Sequence, residues 1–176
     1  MDSGVTSRVV GTVLTWLQDR KQPVFVAATA NDVTRLPPEL LRKGRLDEIF
    51  WVDMPEKHER AEIIGIHLRK KGRDSKNFDI EKIVEKTHEF TGAEIEQVIV
   101  ESLHLAYAEG CKDIETRHLL AAAEELVTIA QTSQDDVEQL RSWAKNRARK
   151  ATTPFAELEK GVAPKAPNLT RFQGLG

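Results

Sequence analysis

Apolar positions along the chain fall into two regimes, and the change comes at Pro55. Before it, Val9, Val10, Val13, Leu14 and Leu17 recur at helical spacing over residues 6–18, which predicts a helix with one buried face. Lys21-Gln-Pro23 ends that pattern. Residues 24–30 then form an unbroken apolar and β-branched run, as expected of a strand covered on both faces in a parallel sheet. Pro37 and Pro38 suit the opening of a short helix and Gly44 its close, and Glu48–Val52 reads as a second strand. Helix, strand, helix, strand is a piece of an α/β sheet, and two strands alone do not make a stable open sheet.

After Pro55 the periodicity is helical throughout. Pro55 suits a first helical position, and Ile63, Ile64, Ile66 and Leu68 follow it. Asp79 is an expected N-cap, with Phe78 and Ile83 spaced for a hydrophobic staple; Thr91-Gly-Ala-Glu94 has capping-box spacing ahead of Ile95, Val98, Ile99, Leu103 and Ala106. A further helix is expected over about 116–126, and a charged one over 135–149. The fold class is thus an α/β fragment followed by an all-α helical unit. The expected divisions are 1–54, 55–127, a helical extension at 128–150, and a flexible basic tail at 151–176.

Composition narrows the function classes. The chain has 176 residues, 40% apolar and 31% charged, which suits a helix-rich globule. No apolar stretch approaches the ~20 residues of a membrane span, so no membrane contact is expected. No signal-peptide pattern opens the sequence. A single cysteine, Cys111, excludes an internal disulfide and a multi-cysteine metal site, and no metal ligand set is expected. The net charge of −2 conceals an asymmetry: residues 141–176 hold eight Lys/Arg and two Asp/Glu, while residues 1–140 are net acidic. Such a basic end suits either a solvated tail or contact with nucleic acid.

Two motifs carry chemistry. Ala-Thr-Ala-Asn31 ends an apolar run on an amide, which can donate and accept without adding charge. Alone it fits equally well an Asn that closes a strand by bonding a loop backbone. Leu40-Leu-Arg42-Lys-Gly-Arg45-Leu-Asp47 places two arginines three residues apart before a strand. Guanidinium pairs suit phosphoryl charge, but also the C-terminal end of a short helix. No G-x-x-x-x-G-K-[ST] phosphate loop occurs in the sequence.

The order of these pieces resembles the AAA ATPase family: strand-Asn, then L-L-R-x-G-R-[FL]-D, a strand, P-x-x-x-x-R, and T-G-A-E. The opening D-S-G-V-T-S-R and L-R-x-W-A-x-x-R-A-R near 140–149 resemble a group of that family encoded in cyanobacteria and algal chloroplasts. The resemblance covers about residues 3–127. It implies the second half of the large AAA α/β subdomain, without Walker A and B, followed by the lid. In such a protein Asn31 would be sensor 1, orienting the attacking water. Arg42 and Arg45 would be arginine fingers acting on a neighbouring subunit's nucleotide. Ile63 and His67 would meet the adenine and ribose, and Gly92 and Ala93 would bring a helix start close to the nucleotide. The implied cofactors are ATP and Mg2+ in the intact protein, the implied partners copies of itself in a ring-like oligomer, and the implied location the cytoplasm or a chloroplast stroma. The chain alone is expected to hydrolyse no appreciable ATP and to bind it weakly or not at all. The alternative is a non-catalytic module that docks protein or nucleic acid through the helices and basic tail.

Overall fold

The computed structural model describes residues 3–19, 21–33, 36–41 and 46–152. Its first element is α1, Ser3–Asp19. The helix forms where its apolar spacing predicts it, but the expected buried face is not there. Val9 and Val13 are exposed, and Val10, Leu14 and Leu17 are only half-buried, because no described element packs extensively on this helix.

The largest correction falls on residues 24–30, read from sequence as a doubly covered strand. They form no strand, and every one of them is exposed, Phe25 at 90%. An exposed extended segment can satisfy its backbone with water, and it becomes a strand only beside a lateral neighbour. Apolar composition supplies the tendency but not the partner. The helix expected after Pro37 is instead a pair of tight turns, in which Leu40 and Leu41 donate to the carbonyls of Pro37 and Pro38 at 2.9 and 3.2 Å. Gly44, its expected end, lies outside the described residues.

The second expected strand is present but short: β1, Phe50–Trp51. Its partner was not anticipated. The helix foreseen over 135–149 is α7, Gln134–Ala144, and the chain beyond it turns back as β2, Arg149–Lys150. β2 pairs in parallel with β1, Phe50 opposite Arg149 and Trp51 opposite Lys150. Flanking bonds from Arg149 N–H to the Ile49 carbonyl (2.9 Å) and from Ala151 N–H to the Trp51 carbonyl (2.8 Å) complete the ladder. Arg141 of α7 reinforces the return: its Nε donates to Asp53 Oδ1 at 2.9 Å, and its Nη1 lies 3.7 Å from Glu89.

Between these pieces lies a packed helical unit: α2 (Lys57–Lys70), α3 (Ile80–Lys86), α4 (Gly92–Ala108) and α5 (Thr116–Glu125), with a 3-10 turn at Ser75–Asn77. A short α6, Ile129–Thr132, leads into α7. The start of α2 is shifted from expectation. Pro55 precedes the cap rather than opening the helix, and Glu56 is the N-cap, its N–H donating to Glu59 at 2.8 Å. Asp79 caps α3 as its sequence predicts, accepting from Lys82 N–H at 3.3 Å. The core is formed by Ile64, Leu68, Ile83, Val84, Phe90, Ile95, Val98, Ile99 and Leu119, with small residues such as Ala122 where helices approach. Arg60 is buried with them. Its Nη1 donates to the Pro55 carbonyl at 2.8 Å and its Nη2 to the Val84 carbonyl at 3.2 Å, which gives the P-x-x-x-x-R spacing its structural meaning: the arginine ties the entry of α2 to the end of α3. Burial holds its pKa below the ordinary arginine value. No helix among the described residues is long and apolar enough to cross a membrane.

Candidate functional site

Three of the sequence-predicted residues meet at the seam between α2 and α4, and a fourth, Ala93, stands beside them. Ile63 and His67, four apart, share one face of α2. Gly92 opens α4, and a Cβ built on it would lie 3.9 Å from Ile63 Cδ1. One turn further along both helices, His67 Nδ1 lies 3.4 Å from Glu96 Oε1. Ala93 is exposed beside Gly92 at the start of α4.

Local chemistry fixes this helix start. Thr91 and Glu94 form the expected capping box: the Thr91 N–H donates to Glu94 Oε2 at 2.6 Å, and the Glu94 N–H to Thr91 Oγ1 at 3.3 Å. The other Glu94 oxygen accepts from Ile129 N–H at 2.6 Å, so the same carboxylate ties α6 to the start of α4. Unpaired N–H groups and the helix dipole make such a start favourable to an anion.

The other three predicted residues are not gathered there. Asn31 is exposed, lies in no strand, and makes no hydrogen bond to another described residue. Arg42 and Arg45 lie outside the described residues. Sequence reasoning missed Glu96. The signal was available, because Glu96 stands four residues from Gly92 just as His67 stands four from Ile63.

A second polar cluster joins Glu109, Cys111 and His118, whose ligand-type atoms lie within 4.8 Å of one another. Its hydrogen bonding does not suit a metal. His118 Nδ1 accepts from the Glu115 N–H at 2.9 Å, closing a capping box, so the neutral ring carries its hydrogen on Nε2 and directs it to Glu109 Oε2 at 3.2 Å. Arg117 Nη1 lies 2.7 Å from that same oxygen, and its Nη2 lies 3.6 Å from Cys111 Sγ. The hydrogen bond from His118, then that from Arg117, hold the Glu109 carboxyl below its ordinary range. The cluster is a neutralised polar knot at the end of α4. His118, 1% exposed, is a core residue within it.

Comparison with known proteins bears on both ends of the chain. Residues 1–54 match the model of the ATPase family associated with various cellular activities (AAA), and residues 77–121 match the AAA+ lid domain. A protein of Pyropia yezoensis named "Uncharacterized AAA domain-containing protein ycf46" is 46% identical over 153 residues, which cover 86% of this chain and 31% of that protein. Its namesake in Guillardia theta is 44% identical over 144 residues, 81% of this chain and 28% of that protein. A "Cell division cycle protein 48 homolog" of Archaeoglobus fulgidus is 42% identical over 119 residues, 66% of this chain and 16% of that protein. The chain therefore spans about a third of the length of the ycf46 proteins it matches. With an AAA match before Pro55, a lid match across the packed helices and relatives of the same kind over most of its length, the chain belongs to the AAA ATPase family.

Proposed function

We propose that this chain supplies the sensor, the arginine fingers and the lid of an ATP-hydrolysing AAA module that works as a ring of copies. The observation that carries the reading is the α2–α4 seam. Ile63, His67 and Gly92 meet there as an apolar contact, an imidazole and a helix start, which suits the adenine and ribose side of a nucleotide. In this reading Ile63 lies on the base, His67 meets a polar edge of the nucleoside, and Gly92 and Ala93 let the backbone approach closely. Asn31 orients the attacking water. Arg42 and Arg45 reach the nucleotide of the adjacent copy, where they stabilise charge that develops on the transferred phosphoryl group.

The seam fits ATP on its nucleoside side only. ATP supplies the phosphoanhydride bond that is cleaved, and Mg2+ neutralises charge on its phosphates when bound. The metal needs hard oxygen ligands; among the described residues at the start of α4, Glu94 is committed to its capping box and to Ile129, and Glu96 stands beside His67. The anchoring of phosphates and metal therefore falls to residues beyond this chain, and residues 1–176 alone bind ATP far more weakly than the whole module. Calorimetry giving micromolar ATP affinity for the chain alone would contradict this division of labour.

The finger role is tested by mixing. In the intact protein, Arg42→Ala lowers turnover by at least ~10² while nucleotide affinity changes much less, because a finger acts on transition-state charge. Arg45→Ala behaves similarly. Mixing Arg42→Ala subunits with subunits that lack the phosphate-loop lysine restores part of the activity, since the two defects then fall on opposite sides of an interface. Mixed assemblies as inactive as either parent, with mixing verified by mass, would remove the trans-acting role of Arg42. An intact protein that shows no ATP turnover would instead favour the alternative reading, a non-catalytic docking module.

A further inference from the structure

His67 has an unsatisfied polar atom. Its side chain is 13% exposed, and Nδ1 is sealed from solvent without a hydrogen-bond partner. Buried polar nitrogens are rarely left so. Beside it stands the carboxylate of Glu96, its Oε1 3.4 Å away on a side chain that is half exposed. Nε2 is not among the sealed, unpartnered atoms.

We propose that Glu96 is the positioning residue for His67 in the nucleoside site. By accepting the Nδ1 hydrogen it fixes the ring's orientation and its tautomer, which leaves Nε2 as a hydrogen-bond acceptor. The group that Nε2 receives is then a donor on the nucleoside: a ribose hydroxyl or the exocyclic amine of the base. The reverse tautomer would present an N–H there and would suit a carbonyl or ring nitrogen instead. This inference rests on the nucleotide reading of the lid but can fail separately from it. Its sequence basis is the repeated four-residue step, Ile63 to His67 on α2 and Gly92 to Glu96 on α4, which sets an apolar contact and a polar contact one turn apart.

The experiment uses residues 1–176 and nitrogen-15 NMR of the His67 ring at mildly alkaline pH, where imidazole is neutral. The expected result is hydrogen on Nδ1 in the native chain and in Glu96→Gln, whose amide oxygen still accepts, with a shift toward the Nε2–H form in Glu96→Ala. A native ring already in the Nε2–H form, or a tautomer unchanged in Glu96→Ala, overturns the proposal. Glu96 is half exposed, so its replacement leaves the packed core intact, and an unchanged amide spectrum for Ile83 and Leu119 verifies this. Millimolar ATP is then added. It is expected to perturb His67, Ile63 and Gly92, and to do so less when the 2′-deoxy, the 3′-deoxy or the inosine analogue removes one of the donors. Equal perturbation by all four nucleotides overturns the acceptor role of Nε2. Perturbation by ATP with a tautomer indifferent to Glu96 sinks this inference alone. No perturbation by ATP sinks the nucleotide reading of the lid, and the acceptor role with it.

Discussion

Residues 21–33 and residues 57–126 are both rich in apolar side chains, yet one segment lies open and the other encloses a core. Phe25 is 90% exposed, and Val24 and Val26 are well exposed beside it. Ile64, Leu68, Ile95, Ile99 and Leu119 are all 1% exposed or less. The two differ in where their partners come from. A helix satisfies its backbone internally and needs only a neighbouring helix to cover one stripe. α2, α3, α4 and α5 find those neighbours within about seventy residues of one another. A strand needs an adjacent strand before its side chains can pack at all. β1 shows this directly, because it is a strand only across the two residues that β2 reaches.

The contrast predicts an ordered set of mutational effects, each read by urea unfolding of this chain. Leu68→Ala leaves a cavity in the core where α2 packs on α3 and α4 and is expected to cost about 2–5 kcal/mol. Phe25→Ala, a larger truncation, is expected to change stability by less than about 0.5 kcal/mol, since it removes nothing packed. A loss above that range at Phe25 would show that the first segment is buried after all.

The next effect concerns Arg60. Replacing it by Met removes the donor to two backbone carbonyls while keeping much of the apolar stem, and is expected to cost about 1–3 kcal/mol. Thr91→Ala removes one side of the capping box at α4 and is expected to cost about 1 kcal/mol. A neutral outcome at Thr91 would mean that Glu94, through Ile129, holds the helix start by itself.

A further small effect lies where α7 is tied to the residue that follows β1. Arg141 and Asp53 form a half-exposed pair, so Arg141→Ala is expected to cost ~1 kcal/mol or less near neutral pH. Burial alone would raise the Asp53 pKa. The Met54 N–H, followed by Arg141 and Trp51, outweighs it and holds the carboxyl below its ordinary value. A depressed pKa stabilises the fold above the ordinary carboxylate value, ~3.9, and that contribution is lost as pH falls through the folded value. The difference between native and Arg141→Ala chains should therefore shrink below about pH 4. A difference that grows on acidification would contradict the assignment of Asp53 as the partner.

Local features of the fold were legible in the sequence. Asp79 and Thr91 declare helix starts because a cap is made within four residues. The stripe from Ile95 through Ala106 declares a buried face because α4 can meet its neighbours along it. Pairings that join distant parts of the chain were not legible. Nothing in Arg149-Lys150 resembles a strand, and its pairing with Phe50-Trp51 depends on where α7 ends. The run at 24–30 misleads for the opposite reason, since its composition has strand character and its neighbour is not among the described residues. At the candidate site, the Ile63–His67 and Gly92–Ala93 pairs followed from the family resemblance, and the structure brings Ile63, His67 and Gly92 onto one seam. Glu96 was passed over because a glutamate on an exposed helix face is ordinarily solvated, and only its proximity to a sealed imidazole nitrogen distinguishes it.

If residues 25–31 lack only a lateral strand among the described residues, backbone amide exchange will show it. The comparison is between residues 1–176 and the Pyropia yezoensis ycf46 protein, of which the chain spans 31%. Amides of α2, α4 and α5 are expected to be protected in both proteins. Amides matching Phe25–Asn31 are expected to exchange freely in this chain and to be protected in the longer relative, where further sequence can pair with them. Protection of Phe25–Asn31 already in the isolated chain, or its absence from both proteins, would contradict the account.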